Sequence, residues 1–326
     1  MRAWPLIKVL PVKTNFHFVR LARLFAALSV VLVIASLVGS VYPGFKRGID
    51  FKGGTVLELS TPGPADLGKV RSTLSGLNIG DVAVQNFDTR EDPTGVRHVS
   101  VKFQTPDRAD PADTVTRVKS ALDRALGQVA YSRADVVGPK VSGELFRNGL
   151  LALGVAIVLM LIYIWFRFEL QFGLGAVAAL FHDVILTFGL ILLLRIELDL
   201  RLIAAILTVI GYSMNDTVVV FDRLRENLRK YKKMPLAEVI DHSINETLTR
   251  TVITGVTALL ALSGLAIFGG EALRDFSLVL MFGIAIGTYS SIYIASPIVL
   301  VWGVKRGEDV EIITPQGASV RSTARP

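Results

Sequence analysis

Apolar and polar positions along the chain follow two periods. Six stretches are apolar at nearly every position: 21–41, 149–167, 171–194, 201–222, 246–268 and 276–304. Each is close to the ~20 residues a helix needs to cross the hydrocarbon core of a bilayer. The pattern therefore predicts six transmembrane helices. The segment 42–147, between the first two, alternates instead. Residues 54–60 (GTVLELS) switch between apolar and polar as a strand does, and so do the shorter stretches 81–87, 98–103 and 131–137. Two stretches keep helical spacing. One is 64–77, with Pro64 in the first turn and Leu67, Val70, Leu74 and Leu77 on one face; the other is 111–126, with Val115, Val118, Leu122 and Leu126. Asp92-Pro93 and Gly95 supply turn chemistry between the middle strands. The order β-α-β-β-α-β predicts an α+β domain of ferredoxin-like topology, inserted between helices 1 and 2 of a polytopic α-helical membrane protein.

Composition agrees. Of 326 residues 51% are apolar, too many for an ordinary soluble domain. The absence of cysteine excludes disulfides and thiolate metal sites. The net charge of +7 is gathered in short segments beside apolar runs, which reads as a topology signal rather than a nucleic-acid surface. The arm 1–20, the connection 223–245 and the tail 305–326 carry the basic residues and share one side of a six-span protein. Both termini are thus expected in the cytoplasm and residues 42–147 on the outer side of the membrane. The first run is read as an uncleaved span, because Gly39-Ser40-Val41 is a poor cleavage site. Within 223–245, the stretch 235–244 is expected to be a short amphipathic helix on the inner leaflet. The tail, rich in Thr, Ser, Gly and Pro, is expected to be disordered.

Candidate chemistry lies inside the spans. The fourth span ends in GYSMNDTVVVFDRLRE, residues 211–226. Asp216 stands six residues, or about 9 Å, before Asp222 marks the exit from the membrane. A charge at such depth costs roughly 2.5–3.5 kcal/mol on insertion scales. The fifth span begins NETLTRT, and its Arg250 enters the membrane from the same side. Asp216 and Arg250 are therefore expected to meet in the membrane, with Asp216 taking up and releasing protons. Tyr212 and Asn215 share the polar side of span four, and Thr254 that of span five. The third span holds His182 and Asp183 side by side, on a small-residue seam with Gly175 and Ala179. That pair is a proton site or a structural hydrogen bond. It is not expected to bind metal, since no other histidine lies in a span. The sixth span carries a close-packing face, Gly283 and Gly287, followed by Ser290, Ser291 and a bend at Pro297. The glycine-rich GIDFKGGT stretch, with Gly48, Asp50, Gly53 and Gly54, reads as a tight connection into the first strand. No nucleophile–base pair, metal cluster or nucleotide loop argues for an enzyme or a cofactor.

Taken together, GIDFKGGT, the HD of span three, the end of span four and NETLTRT resemble the SecF family of the bacterial Sec protein-export machinery, within the resistance-nodulation-division superfamily. The likeness extends over residues 46–304. Where the family has a small polar residue in the glycine motif, this chain has Lys52. The resemblance implies a SecD partner with its own six spans, association with YajC and the SecYEG channel, and contact with lipid and a translocating polypeptide. It implies a late, proton-driven pull on chains that SecA has pushed in. It places the proton-pathway acid on Asp216 and its companion on Arg250. Two other readings remain: half of a proton-coupled exporter of small solutes, and a passive scaffold between SecD and the channel.

Overall fold

The computed structural model describes residues 14–61, 66–77, 79, 82–86, 97–104, 110–127, 129–304, 310–313 and 319–322. Outside them fall Lys8, Lys13, Pro64, the Asp92-Pro93 and Gly95 turn, and the tail's Lys305 and Arg306.

The domain between the first two spans is built as its alternation predicts. Strands β1 (Gly54–Thr61), β2 (Val82–Asn86), β3 (Arg97–Phe103) and β4 (Ala130–Val137) form one antiparallel sheet in the order β2-β3-β1-β4. Helices α3 (Leu67–Ser75) and α4 (Pro111–Leu126) cover one face, giving the ferredoxin-like arrangement. The core is Leu57, Leu59, Val84, Val99, Val101 and Phe103 from the sheet, against Val70 and Leu74 of α3 and Val118 and Leu122 of α4. Helix α3 starts at Leu67, later than Pro64, because Asp66 caps it and accepts from the amides of Gly68 and Lys69.

Among the described residues six helices are long and apolar enough to cross a membrane. They are α1 (Phe18–Val41), α5 (Pro139–Arg167), α6 (Leu170–Leu193), α7 (Leu200–Lys230), α8 (Leu236–Phe268) and a sixth made of α9 (Gly270–Ser290), a π-helical turn (Ser291–Ala295) and α10 (Ser296–Trp302). The sixth span was expected to bend at Pro297. The wide turn stands just before it, and Ser296 Oγ donates to Ser291 O at 2.8 Å. Helix α7 is the hub, with Ala205, Ile206, Val209, Thr217, Phe221 and Leu224 fully buried among its neighbours. The outer faces of α1, α5 and α8 expose Val31, Leu151, Trp165, Leu260 and Phe268, as lipid contact requires.

The segment 223–245 departs from expectation. Instead of a loop with a surface helix, α7 runs on to Lys230 and α8 begins at Leu236. A short turn over 231–235 separates the two helices. The apolar stripe Leu236, Val239, Ile240 and Ile244 is buried in the bundle core with Leu224 and Leu228, not laid on a membrane surface. In the tail, where disorder was expected, Val310–Ile313 pairs with Ser319–Ser322. A lone two-stranded ribbon of this kind is marginally stable in water.

The glycine motif does more than connect. Gly48 N–H donates to Leu198 O at 2.8 Å, and Leu198 N–H to Lys46 O at 2.7 Å, so the segment pairs with the α6–α7 connection. Asp50 then accepts from the Leu200 amide at 3.1 Å, at the start of α7. Phe51, on the short helix α2 (Ile49–Lys52), packs edge-on against Phe146 of α5. Gly53 and Gly54 have φ of 75° and 145°, and a Cβ on Gly54 would stand 2.7 Å from Phe103 O. Lys102 of β3 pairs with Glu197 at 2.8 Å. The α+β domain thus sits at this end of the bundle, and the α7–α8 turn lies on the far side.

Candidate polar sites inside the helical bundle

Among the described residues Asp183 and Asp216 are the carboxylates buried in the middle of the spans, and their surroundings differ. Asp183, near the middle of α6, is 1% exposed. One of its oxygens faces His182 Nδ1 at 2.8 Å, and the other accepts from Ser213 of α7 and from Ser290 of α9, the latter at 2.7 Å. His182 Nε2 meets Ser29 Oγ of α1 at 3.1 Å, and Ser29 Oγ meets Tyr289 OH at 2.8 Å. Four helices are joined through one imidazole–carboxylate pair.

The donor count fixes the direction of these bonds. Tyr289 has one hydroxyl proton, and it goes to Phe25 O at 2.7 Å. Ser29 must then donate to Tyr289 OH, and so accepts from His182 Nε2–H. One further proton lies between Nδ1 and the carboxylate. On either atom it leaves the pair with no net charge, which is the inexpensive way to bury ionisable groups in hydrocarbon.

Asp216 has no such neutralising contact among the described residues. It is 6% exposed and lies between α7, α8 and α9. Thr251 Oγ1 of α8 donates to one oxygen and Thr288 Oγ1 of α9 to the other, both at 3.1 Å. Beside it is a cavity of about 10 Å³ lined by Thr247, Thr251, Thr288 and Ser291, which is room for one water. The side chains that grip Asp216 are hydroxyls, and hydroxyls can donate to a carboxylate or accept from a carboxylic acid by rotating one bond.

Arg250 does not pair with Asp216. Its charge acts on the carboxylate through space, but no ion pair joins the two among the described residues, and Arg250 is exposed. One residue decides this. Thr251, not Arg250, points from α8 toward α7, so the inward stripe is Thr247 and Thr251. Thr254 is exposed and donates to Arg250 O at 2.9 Å. Asn215 is also exposed, in an open groove between α5 and α7 with Met160 and Tyr163. Tyr212 is half-buried one turn from Asp216. Of the expected site residues, the fold brings His182 with Asp183, and sets Asp216 apart from Arg250, Asn215 and Thr254.

The sequence reading missed Ser213, Ser290, Thr251 and Thr288 as partners of these carboxylates, and Ser29 and Tyr289 behind His182. The signal was there in span six, where Thr288-Tyr289-Ser290-Ser291 puts four consecutive polar residues in an apolar run. Gly283 and Gly287 make the approach possible. A Cβ on Gly287 would lie 2.8 Å from Ser213 Cβ, and one on Gly283 would collide with Val209. On the other side of the sixth span, a Cβ on Gly175 would lie 2.6 Å from Ala295 O, in the π-helical turn.

Six spans, an α+β domain docked on one end, and acidic side chains held in the hydrocarbon region define a polytopic membrane protein of the transport type. Comparison with known proteins is specific. The family model described as "Protein export membrane protein SecD/SecF, C-terminal" matches residues 117–305, and the "SecD/SecF GG Motif" matches 43–61. A SecF protein translocase subunit of Cereibacter sphaeroides is 45% identical over 304 residues, covering 92% of this chain and 94% of its own length. One from Rickettsia bellii is 42% identical over 309 residues, covering 94% and 100%. A crystal structure of SecDF from Thermus, titled there a translocon-associated membrane protein, superposes with a TM-score of 0.78 at 34% identity. That match covers 90% of this chain and 39% of the longer SecDF chain. The chain belongs to the SecF family of protein translocase subunits.

Proposed function

We propose that this chain acts with a SecD partner to convert the proton-motive force into late-stage protein export, and that Asp216 is the group that takes up and releases the proton. The single observation that carries this is the setting of Asp216: buried, held by two hydroxyls from two helices, beside room for one water, with no cation in contact among the described residues. Ionised, the carboxylate draws the Thr251 and Thr288 hydroxyls inward and feels the charge of Arg250 at a distance. Protonated, it donates to one of them and loses that attraction. The two states thus differ in how strongly α8 and α9 are held to α7. One proton crossing about 100 mV supplies roughly 2.3 kcal/mol, enough to bias such a two-state element.

The protein sits in the inner membrane with both termini in the cytoplasm and residues 42–147 in the periplasm, a reading supported by the basic residues of the far side. The SecD half is supported by the solved SecDF chains, of which this chain spans about two fifths. YajC and the SecYEG channel complete the assembly.

In vesicles carrying this chain with its partner, Asp216→Asn should assemble normally and abolish the part of export that depends on the proton gradient. Wild-type export by that variant removes Asp216 from the mechanism and leaves the scaffold reading standing.

A further inference from the structure

The Asn245 of NETLTRT has no part in gripping Asp216, and the first span has an end it does not cap itself. These two facts belong together. Helix α1 begins after His17, and no side chain of its own accepts from its first amides. The acceptor comes from α8, more than two hundred residues on: Asp241 Oδ1 takes the Val19 N–H at 2.9 Å. One turn along α8, Asn245 Oδ1 accepts from Phe16 N–H at 2.9 Å and its Nδ2 donates to Phe16 O at 2.8 Å. The amide side chain thus pairs with the backbone as a neighbouring strand would. A carboxylate on the first free amides of a helix also meets the positive end of its dipole.

At this end Phe18 packs edge-on against Tyr293, and Phe25 packs against Tyr289 and Tyr293, so aromatic rings hold α1 to the sixth span. Along α1 only Ala22 and Ser29 are buried, and its tie to α8 at this end is made by the polar contacts of Asp241 and Asn245. Helix α8 carries the other half of the link on the same stretch. Glu246 pairs with Arg223 of α7 at 2.7 Å, and Thr251 reaches Asp216. Beyond its other end, α1 leads through Lys46 and Gly48 to the α+β domain.

We propose that Asp241 and Asn245 are positioning residues that transmit a shift of α8, set by the state of Asp216, to α1 and through it to the α+β domain. This deepens the proton-coupled reading and rests on it. Asp216 loosens or tightens α8, α8 carries the first amides of α1, and α1 moves the domain docked at its far terminus.

The test uses the chain with its partner in proteoliposomes, reading proton flux and gradient-driven export separately. Asp241→Ala should leave flux near wild type and lower gradient-driven export about five- to tenfold, the scale of one lost cap. Asp241→Asn keeps the acceptor oxygen and should export nearly as wild type does. The decisive variant is Asp241→Ala combined with His17→Asp, which lets α1 cap itself without touching α8. It should recover thermal stability and not export. Recovery of export by that double variant, or loss of flux in step with export in Asp241→Ala, overturns the proposal. Asp216→Asn in the same vesicles judges the underlying reading by itself. The chain has no native cysteine, so spin labels at Arg20 and Glu238 report the tether independently of any proton. One narrow distance distribution that broadens in Asp241→Ala is expected, and an unchanged distribution overturns the tether even if the proton reading stands.

Discussion

At the scale of single residues Asp183 and Asp216 sit in different company. The His182–Asp183 pair holds a proton wherever that proton sits, so its charge is zero and its ties to Ser29, Ser213 and Ser290 are architectural. Asp216, whose side-chain partners among the described residues are Thr251 and Thr288, is the one whose charge changes in the proposed reading. Tyr289→Phe breaks the bonds to Ser29 and Phe25, and should cost about 1 kcal/mol of stability while leaving proton flux intact. Thermal unfolding of the purified protein and flux in vesicles check the two halves of that statement. Thr251→Val with Thr288→Val should do the reverse, stopping flux with a smaller loss of stability. Asp216 and the His182–Asp183 pair were legible in the sequence because an ionisable group amid apolar residues stands out whatever surrounds it. Their partners were not. Helical spacing places Arg250 and Thr251 one residue, about 100°, apart, and which of the two faces α7 is decided by packing.

At the scale of elements, the close approach of the sixth span to α6 and α7 carries the site. Gly175 and Gly287 lie where any side chain would press on Ala295 or Ser213, so the hydroxyls of α9 reach inward only because those positions are bare. Gly175→Val should destabilise the bundle by several kcal/mol, since the obstacle is a carbonyl that cannot turn aside. Loss of the folded, monodisperse species in detergent is the expected readout, with Gly154→Val, which faces open space, as the control. The lengths of α7 and α8 were misread for a related reason. Charge and amphipathic pattern say that 223–245 leaves the apolar layer, but not that the two helices continue side by side. That depends on Arg223 meeting Glu246, and on Asn227 donating to Ser243 and Glu246, contacts between residues up to 23 positions apart. The α+β domain was legible almost strand by strand, because alternation is local.

At the scale of the whole molecule, the domain and the bundle are joined by more than the chain. The glycine motif pairs with the α6–α7 connection, Asp50 meets the start of α7, and Lys102 bonds Glu197 across the joint. A shift between helices inside the membrane therefore has a route to the domain outside it. Lys102→Glu should loosen the joint, and exchanging both charges in Lys102→Glu with Glu197→Lys should restore it; gradient-driven export reads both. All of this depends on Asp216 changing its protonation within the membrane. Infrared difference spectroscopy of the reconstituted complex, recorded as a pH step is imposed across the vesicle membrane, reads that change directly. A protonated-carboxyl band should appear and vanish with the step and be missing from Asp216→Asn alone, persisting in Asp183→Asn. A band that survives in Asp216→Asn, or none in the wild type, contradicts the account.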